Sequence, residues 1–270
     1  MTTLTASSVV VSPDGGPFHD DPAILGFYRD LAEPFGATVD EQRLRSGRNV
    51  FHKDLVDRLV QSEELSGATA DLVVVTHALP DVHPFTAVAS HLNMRLGGGA
   101  QSFSISEQGL AAPFTALRII SAYQRGGRSR SAALAVLEQT TLPTPHPLVD
   151  SGELTDSGVL LLLKNGEGLQ ADTVESSDDA GATLARLREL AAGGPDTLLV
   201  TGPWVQERDF GGTARVHRVA PGSYCTSVWL DLARHWRQWQ RDHRLVVLCD
   251  VDPLSGSGHL AVLHSTGTAG

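Results

Sequence analysis

Cysteine is nearly missing from this chain: Cys225 and Cys249 are the only two in 270 residues. Two thiols exclude a disulfide framework, and their spacing is not that of a zinc site. Long apolar runs are missing as well. None approaches the roughly 20 residues needed to cross a bilayer, and the N-terminal MTTLTASSVVVSPDGG lacks the basic region of a signal peptide. Basic residues are few, 21 Lys and Arg against 31 Asp and Glu. The resulting net charge of −10 argues against nucleic acid or an anionic membrane as the main partner. A cytoplasmic location is expected. No metal or cofactor is expected either: LSGSGHLAVL (Leu254–Leu263) is neither GxxxxGK[ST] nor followed by a helix, and LGGGA (Leu96–Ala100) lacks the GxGxxG context. Both read as turns before strands.

What is present is an ordinary globular balance, 41% hydrophobic and 19% charged, in a chain long enough for one large α/β domain or two small ones. Short Val- and Leu-rich runs alternate with longer helical patterns, the signature of a layered α/β fold. The runs are continuous rather than alternating, as expected of strands covered on both faces. Strands are predicted at Ser8–Ser12, Asp71–Thr76, Phe103–Ser106, Ala132–Leu137, Val159–Leu163, Thr197–Thr201, Val216–Val219, Leu245–Cys249 and Leu260–His264. Helices are predicted at Asp54–Glu64, Leu110–Arg125, Thr183–Ala192 and Ser223–Arg241, and TTLPTPHPL (Thr140–Leu148) reads as an irregular connection.

The chain resembles itself. A helix leads into ADLVVVTHALP in the first half and into PDTLLVTGPWV in the second. Strand, joint, long helix and strand then follow in both, as SFSISEQGL to AALAVL and as VHRVAPGSY to LVVLC. The interval from Leu110 to Ala132 equals that from Ser223 to Leu245, which pairs Gly109 with Gly222 at the helix starts. Two halves, residues 1–145 and 146–270, are expected to form one compact fold with both helix starts facing a shared centre.

These segments, with HLNMRLGGGAQSFSIS, RGGRSRSAALAVLEQ, DSGVLLLL and RLVVLCDVDPLSGSGHLAVLH, resemble the thiolase-like superfamily, nearest its β-ketoacyl-acyl-carrier-protein synthase III branch. The resemblance covers most of residues 54–266. It implies a five-layer αβαβα domain, usually dimeric through the strand that precedes the nucleophile. It also implies acyl transfer or Claisen condensation on an acyl-CoA or acyl carrier protein thioester, with a Cys nucleophile and a His and Asn that stabilise negative charge. The nucleophile belongs at Gln108, Gly109 or Leu110, and none is Cys. The His belongs after Thr197–Thr201, where the chain reads Gly202-Pro203-Trp204. The Asn belongs after Gly222, where Ser223 stands. The pair Glu107-Gln108 is similar to the acidic-Gln pair of chain-length factors, the silent partners of polyketide ketosynthases. The inserted cap elements of typical members have little room in a chain of this length.

Several residues carry two readings each. Ser106, Glu107, Gln108 and Gly109 either line a substrate pocket, with Gln108 donating to an acyl carbonyl, or they satisfy the N–H groups of the following helix. His77 closes a strand at the sheet end where α/β proteins gather ligands; it serves there as acid or base, or is a structural histidine bonded to a backbone carbonyl. His83 shapes a Pro-containing turn. Cys225, near Gly222 and Ser223 at the second helix start, is the one plausible cysteine nucleophile, or a small buried hydrophobe. Trp229, Trp236 and Trp239 with Arg234, Arg237 and Arg241 mark an interface or an ordinary amphipathic helix. Arg125, Arg128 and Arg130 form a basic turn that would suit an acidic carrier protein or water equally.

The expected function is that of a catalytically degenerate ketosynthase-like protein of polyketide or fatty-acid biosynthesis. It would act as a homodimer, or as a heterodimer with a ketosynthase, and would bind an acyl group or carrier protein. The alternative is an enzyme of altered mechanism, decarboxylating, transferring or hydrolysing acyl thioesters through Gln108 and His77.

Overall fold

In the computed structural model, residues 2–206 and 214–266 are described. Ten strands run β1 Thr3–Val11, β2 Leu72–His77, β3 Gln101–Ile105, β4 Ser131–Glu138, β5 Ser157–Lys164, β6 Gly168–Ser177, β7 Thr197–Thr201, β8 Arg215–Arg218, β9 Leu245–Val251 and β10 Gly258–Thr266. The α-helices are α1 Pro22–Ala32, α2 Glu41–Ser46, α3 His52–Leu59, α4 Val88–Arg95, α5 Ala111–Arg125, the single turn α6 Pro147–Asp150, α7 Ala180–Ala191 and α8 Ser227–Asp242.

The strands lie in the order β3-β2-β4-β5-β1-β6-β10-β9-β7-β8. The order is a palindrome of pairing types. On one side β3, β2 and β4 are parallel while β5 and β1 are antiparallel additions. On the other, β8, β7 and β9 are parallel while β10 and β6 are antiparallel. β1 and β6 meet at two pairs only, Thr3 with Gln170 and Leu4 with Leu169, so two five-stranded sheets are joined by a short seam. The seam puts β5 with the first sheet. In sequence the first sheet ends with β5 and the second begins with β6.

Burial explains the layers. β2, β4 and β5 are almost wholly buried along their length, so both their faces must be covered. Val73, Val75, Ala133 and Ala135 pack on one face against Leu55, Val56 and Leu59 of α3 and Val88, Ala89 and Leu92 of α4. The opposite face, with Leu72, Val74, Leu134 and Val136, packs against α5 and α8, and those helices also meet Leu198, Val200, Val246 and Leu248 of the second sheet. α7 covers the far face of that sheet through Leu187 and Ala191. The result is helix, sheet, helix, sheet, helix. Phe114 of α5 and Trp229 of α8 meet edge-on in the middle layer with ring centroids 5.0 Å apart, each 1% exposed. Trp236 is buried too and donates its indole N–H to Ser7 Oγ at 3.0 Å, so the tryptophans of α8 serve the core, while Arg237 lies over Trp236 at its surface.

β6 does not read as an apolar run, because its inward residues alternate with polar ones (GLQADTVESS). α8 starts at Ser227, four positions beyond Ser223, because Gly222–Thr226 is irregular. α1, α2 and the following strand-like segment wrap the end of the first sheet. Asp40 caps α2 by accepting from the N–H of Gln42 and Arg43, and Arg48 pairs with buried Asp156 at 2.9 Å. Asn49 N–H donates to Thr141 Oγ1, holding this segment against the Pro-rich connection.

Candidate functional site

The joint after β3 is an exposed turn. Ser106, Glu107 and Gln108 face solvent, Gly109 is half-buried and Leu110 is buried. Glu107 has φ +60° and Gly109 φ +52°, so two left-handed residues within three positions throw the chain from strand into helix. The first buried N–H of the helix, at Leu110, donates to Asp252 Oδ2 at 3.3 Å. The cap thus comes from the other half of the molecule and not from Glu107 or Gln108.

The second joint is built the same way from the opposite side. Tyr224 N–H and Cys225 N–H, just before α8, donate to the carboxylate of Glu138, which ends β4, at 2.9 and 2.6 Å. Each half therefore supplies the carboxylate that caps the other half's central helix, as a helix N-terminus favours. Glu138 is fully buried, and burial pushes its pKa up to about 7 against the pull of the N–H groups of Tyr224 and Cys225. Tyr224 ties the two caps together: its hydroxyl donates to Asp252 Oδ2 at 2.7 Å. Asp252 Oδ1 meanwhile accepts from the N–H groups of Leu254 and Ser255, fixing the Gly-rich turn of Leu254–Leu263 against the joint.

This arrangement fills the space in front of Gly109. A Cβ built on Gly109 would fall less than 3.0 Å from both Asp252 Oδ2 and Tyr224 OH. Trp204, in the loop after β7, packs edge-on to Tyr224 with centroids 5.9 Å apart. Cys225 is 1% exposed, and its thiol donates to the Leu137 carbonyl at 3.3 Å. Burial first, then Glu138, pushes that thiol well above the usual range, so the helix start does not activate it. Ser223 is buried and, with Gly222, lines a separate small cavity of about 170 Å³ beside Asp231 and Arg234.

His77 and Glu107 belong to a different place. Both line a cavity of about 860 Å³ between α1, the start of α4, the outer strand β3 and the Pro-rich connection. His77 Nδ1 lies 3.0 Å from the Leu79 carbonyl oxygen. Burial lowers its pKa, outweighing that bond and the nearby Glu107 carboxylate. Beside it His52 is 1% exposed, with ring centroids 4.8 Å apart, and burial holds His52 well below the ordinary imidazole range. Asp81 completes the cluster, its pKa raised by burial to about 6. Gln108 is not among the residues lining this cavity. His83, also on the wall, holds its own turn through Thr86 Oγ1 at 3.1 Å. Among the described residues no three His, Cys, Asp or Glu come together in a way that could hold a metal.

Two symmetric five-stranded sheets around a pair of central helices define the class: this is a thiolase-like fold. Its solved neighbours are condensing enzymes. The tetronic acid condensing enzyme AbyA1 matches with TM-score 0.64 and 16% identity, over 98% of this chain and 100% of the other. 3-Oxoacyl-(acyl carrier protein) synthase III, FabH, of Pseudomonas aeruginosa PAO1 matches with TM-score 0.64 and 16% identity, over 99% and 98%. OleA of Xanthomonas campestris with bound lauric acid and lauroyl-CoA matches with TM-score 0.62 and 12% identity, over 97% and 98%. At these identities the likeness is one of fold. No protein-family model and no curated protein sequence matches the chain.

Sequence reasoning overlooked Glu138, Asp252, Tyr224, His52 and Asp81. Glu138 had a signal: a lone acid closing the apolar run AALAVLE. Asp252 had a weaker one, an acid just ahead of a Gly-rich turn. Nothing local marks His52, because its partners come from β2 and the loop after it.

Proposed function

We propose that this protein is a catalytically degenerate member of the ketosynthase-like group, working by binding rather than by condensation. Its setting would be fatty-acid or polyketide biosynthesis, as a dimer partner or as a subunit that engages an acyl carrier protein or acyl-CoA. One observation carries the reading: the Tyr224–Asp252 hydrogen bond occupies the space in front of Gly109 where a nucleophilic side chain would have to stand. Fold likeness supplies the pathway and is analogy. The partner role draws support from β3, which ends the sheet with one edge unpaired among the described residues, and from the exposed Phe85 and Met94 nearby. No helix among the described residues is long and apolar enough to cross a membrane.

The test is incubation with malonyl- and acyl-thioesters, followed by intact-protein and product mass. The proposal expects neither a covalent acyl adduct nor a condensed or decarboxylated product. Co-expression with a ketosynthase, followed by size exclusion, is expected to give a dimer with it or with a second copy; a strict monomer would refute the partner role. A second reading, decarboxylation, transfer or hydrolysis of acyl thioesters, is favoured by the joint presence of His77 and Glu107 on one cavity wall. It needs no cysteine, only donors for a developing oxyanion. Turnover abolished by His77→Ala or Gln108→Ala would establish it in place of the first.

A further inference from the structure

The cavity beside β3 stands apart from the closed helix starts, and its chemistry can be read independently of the partner role. We propose that it is a binding site for an uncharged hydrophobic molecule carrying a hydroxyl group at one end, a phenol or long-chain alcohol, whose O–H donates to His77 Nε2, beside His52 and Asp81.

His77 is placed to accept. The Leu79 carbonyl has only lone pairs to offer, so the proton of neutral His77 sits on Nδ1, and Nε2 presents a lone pair. Asp81 Oδ1 accepts from the backbone N–H of His52 and of His83, both at 3.3 Å. Oδ2 is buried without a hydrogen-bond partner among the described residues; His52 Nδ1, at 3.9 Å, is beyond hydrogen-bond reach. His52 Nε2 is likewise buried and unpaired. An unpaired buried polar atom is costly, and these two lie just beneath the wall to which His77 belongs.

The rest of the wall selects against charge. Phe27, Leu31, Phe35 and Leu142 supply apolar surface, and no Lys or Arg is among the residues lining the cavity. A phosphate or carboxylate would meet Asp81 and Glu107 with no cation to pair with, whereas a hydroxyl satisfies an acceptor and leaves no charge buried. About 860 Å³ falls within the usual range for small-molecule sites.

Three matched probes test this: para-phenylphenol, biphenyl and para-biphenylcarboxylate, titrated calorimetrically near pH 8. The phenol is expected to bind at least about tenfold tighter than biphenyl, with the carboxylate weaker than either. His77→Phe should bring phenol and biphenyl to equal affinity. If that variant does not fold, Phe35→Arg, at a side chain 85% exposed on the rim, should weaken biphenyl while keeping the phenol preference. Equal affinity of phenol and biphenyl for the unaltered protein, preference for the carboxylate, or binding of none of the three would overturn the assignment. So would a phenol affinity that vanishes as the protein dimerises, which would give the cavity to a second copy of the chain. None of these outcomes bears on whether acyl thioesters turn over, so the two proposals fail separately.

Discussion

The two central helices begin in the same way but are not held equally. Glu138 serves α8 alone, deep in the protein, and the N–H groups at the helix start, with the Cys225 side chain, work against its burial. Asp252 serves α5 with one long bond and spends its other contacts on Tyr224 and on its own turn. The fold places a carboxylate at both starts; only at the second does the carboxylate also fill the space in front of a glycine, Gly109. The paired topology accounts for the two caps, and the bond to Tyr224 for the wider reach of one of them.

The largest expected effect comes from the deeper cap. Glu138→Ala strands two buried N–H groups and should destabilise by roughly 3 kcal/mol, read as a drop in urea midpoint at unchanged slope. Asp252→Ala should cost less, because Leu254 and Ser255 sit in a half-exposed turn where water can replace the carboxylate. Equal losses would erase the asymmetry.

A pH series sharpens the same contrast through Asp250, two residues before Asp252. It is fully buried, its Oδ2 lacks a hydrogen-bond partner among the described residues, and burial raises its pKa from 3.8 to about 7. A carboxyl whose folded pKa is raised contributes stability that is fully present below its unfolded value and lost as pH rises through the folded one. The window is therefore roughly pH 4 to 7. Asp250→Asn, which cannot ionise, should gain on the unaltered protein by up to about 3 kcal/mol at pH 8 relative to pH 5. A gain that is the same at both pH values would show that Asp250 is already ionised in the fold at pH 5, its pKa not raised.

The glycines come next. Gly109 and Gly222 both have positive φ, +52° and +126°, so alanine strains the backbone at each. At Gly222 the new methyl meets only the Glu153 carbonyl oxygen at 3.7 Å; at Gly109 it would run into Asp252 and Tyr224. Gly222→Ala should cost about 1 kcal/mol and Gly109→Ala about 2–3 kcal/mol, measured side by side.

Much of this architecture was legible in the chain. Strands such as Ala132–Leu137 announce themselves because they are buried on both faces and need no alternation. The repeat was legible because both halves solve one packing problem. β6 was not, since one of its faces is half open and its apolar residues are spaced by polar ones. The joint QSFSISEQGL was visible as a place where chemistry belongs, but what fills it, Tyr224 and Asp252, lies over a hundred residues away, and no local pattern ties them to Gly109. The same holds for His77, whose cavity depends on His52 and Asp81 being folded beside it.

The smallest effect isolates the closing contact itself. Tyr224→Phe removes one hydroxyl and keeps the ring that packs against Trp204. Asp252 Oδ2 would still accept from Leu110 N–H, so the cap of α5 survives and only the bond between the two helix starts is lost. A hydrogen bond to a charged acceptor is worth roughly 1.5 kcal/mol net, and the urea midpoint should fall by about that amount. If the same substitution also lets an acyl thioester bind in front of Gly109, the hydroxyl is what keeps that space shut. If stability falls without binding, the closure lies in the ring that packs against Trp204 and in a Gly109 with no space for a larger side chain.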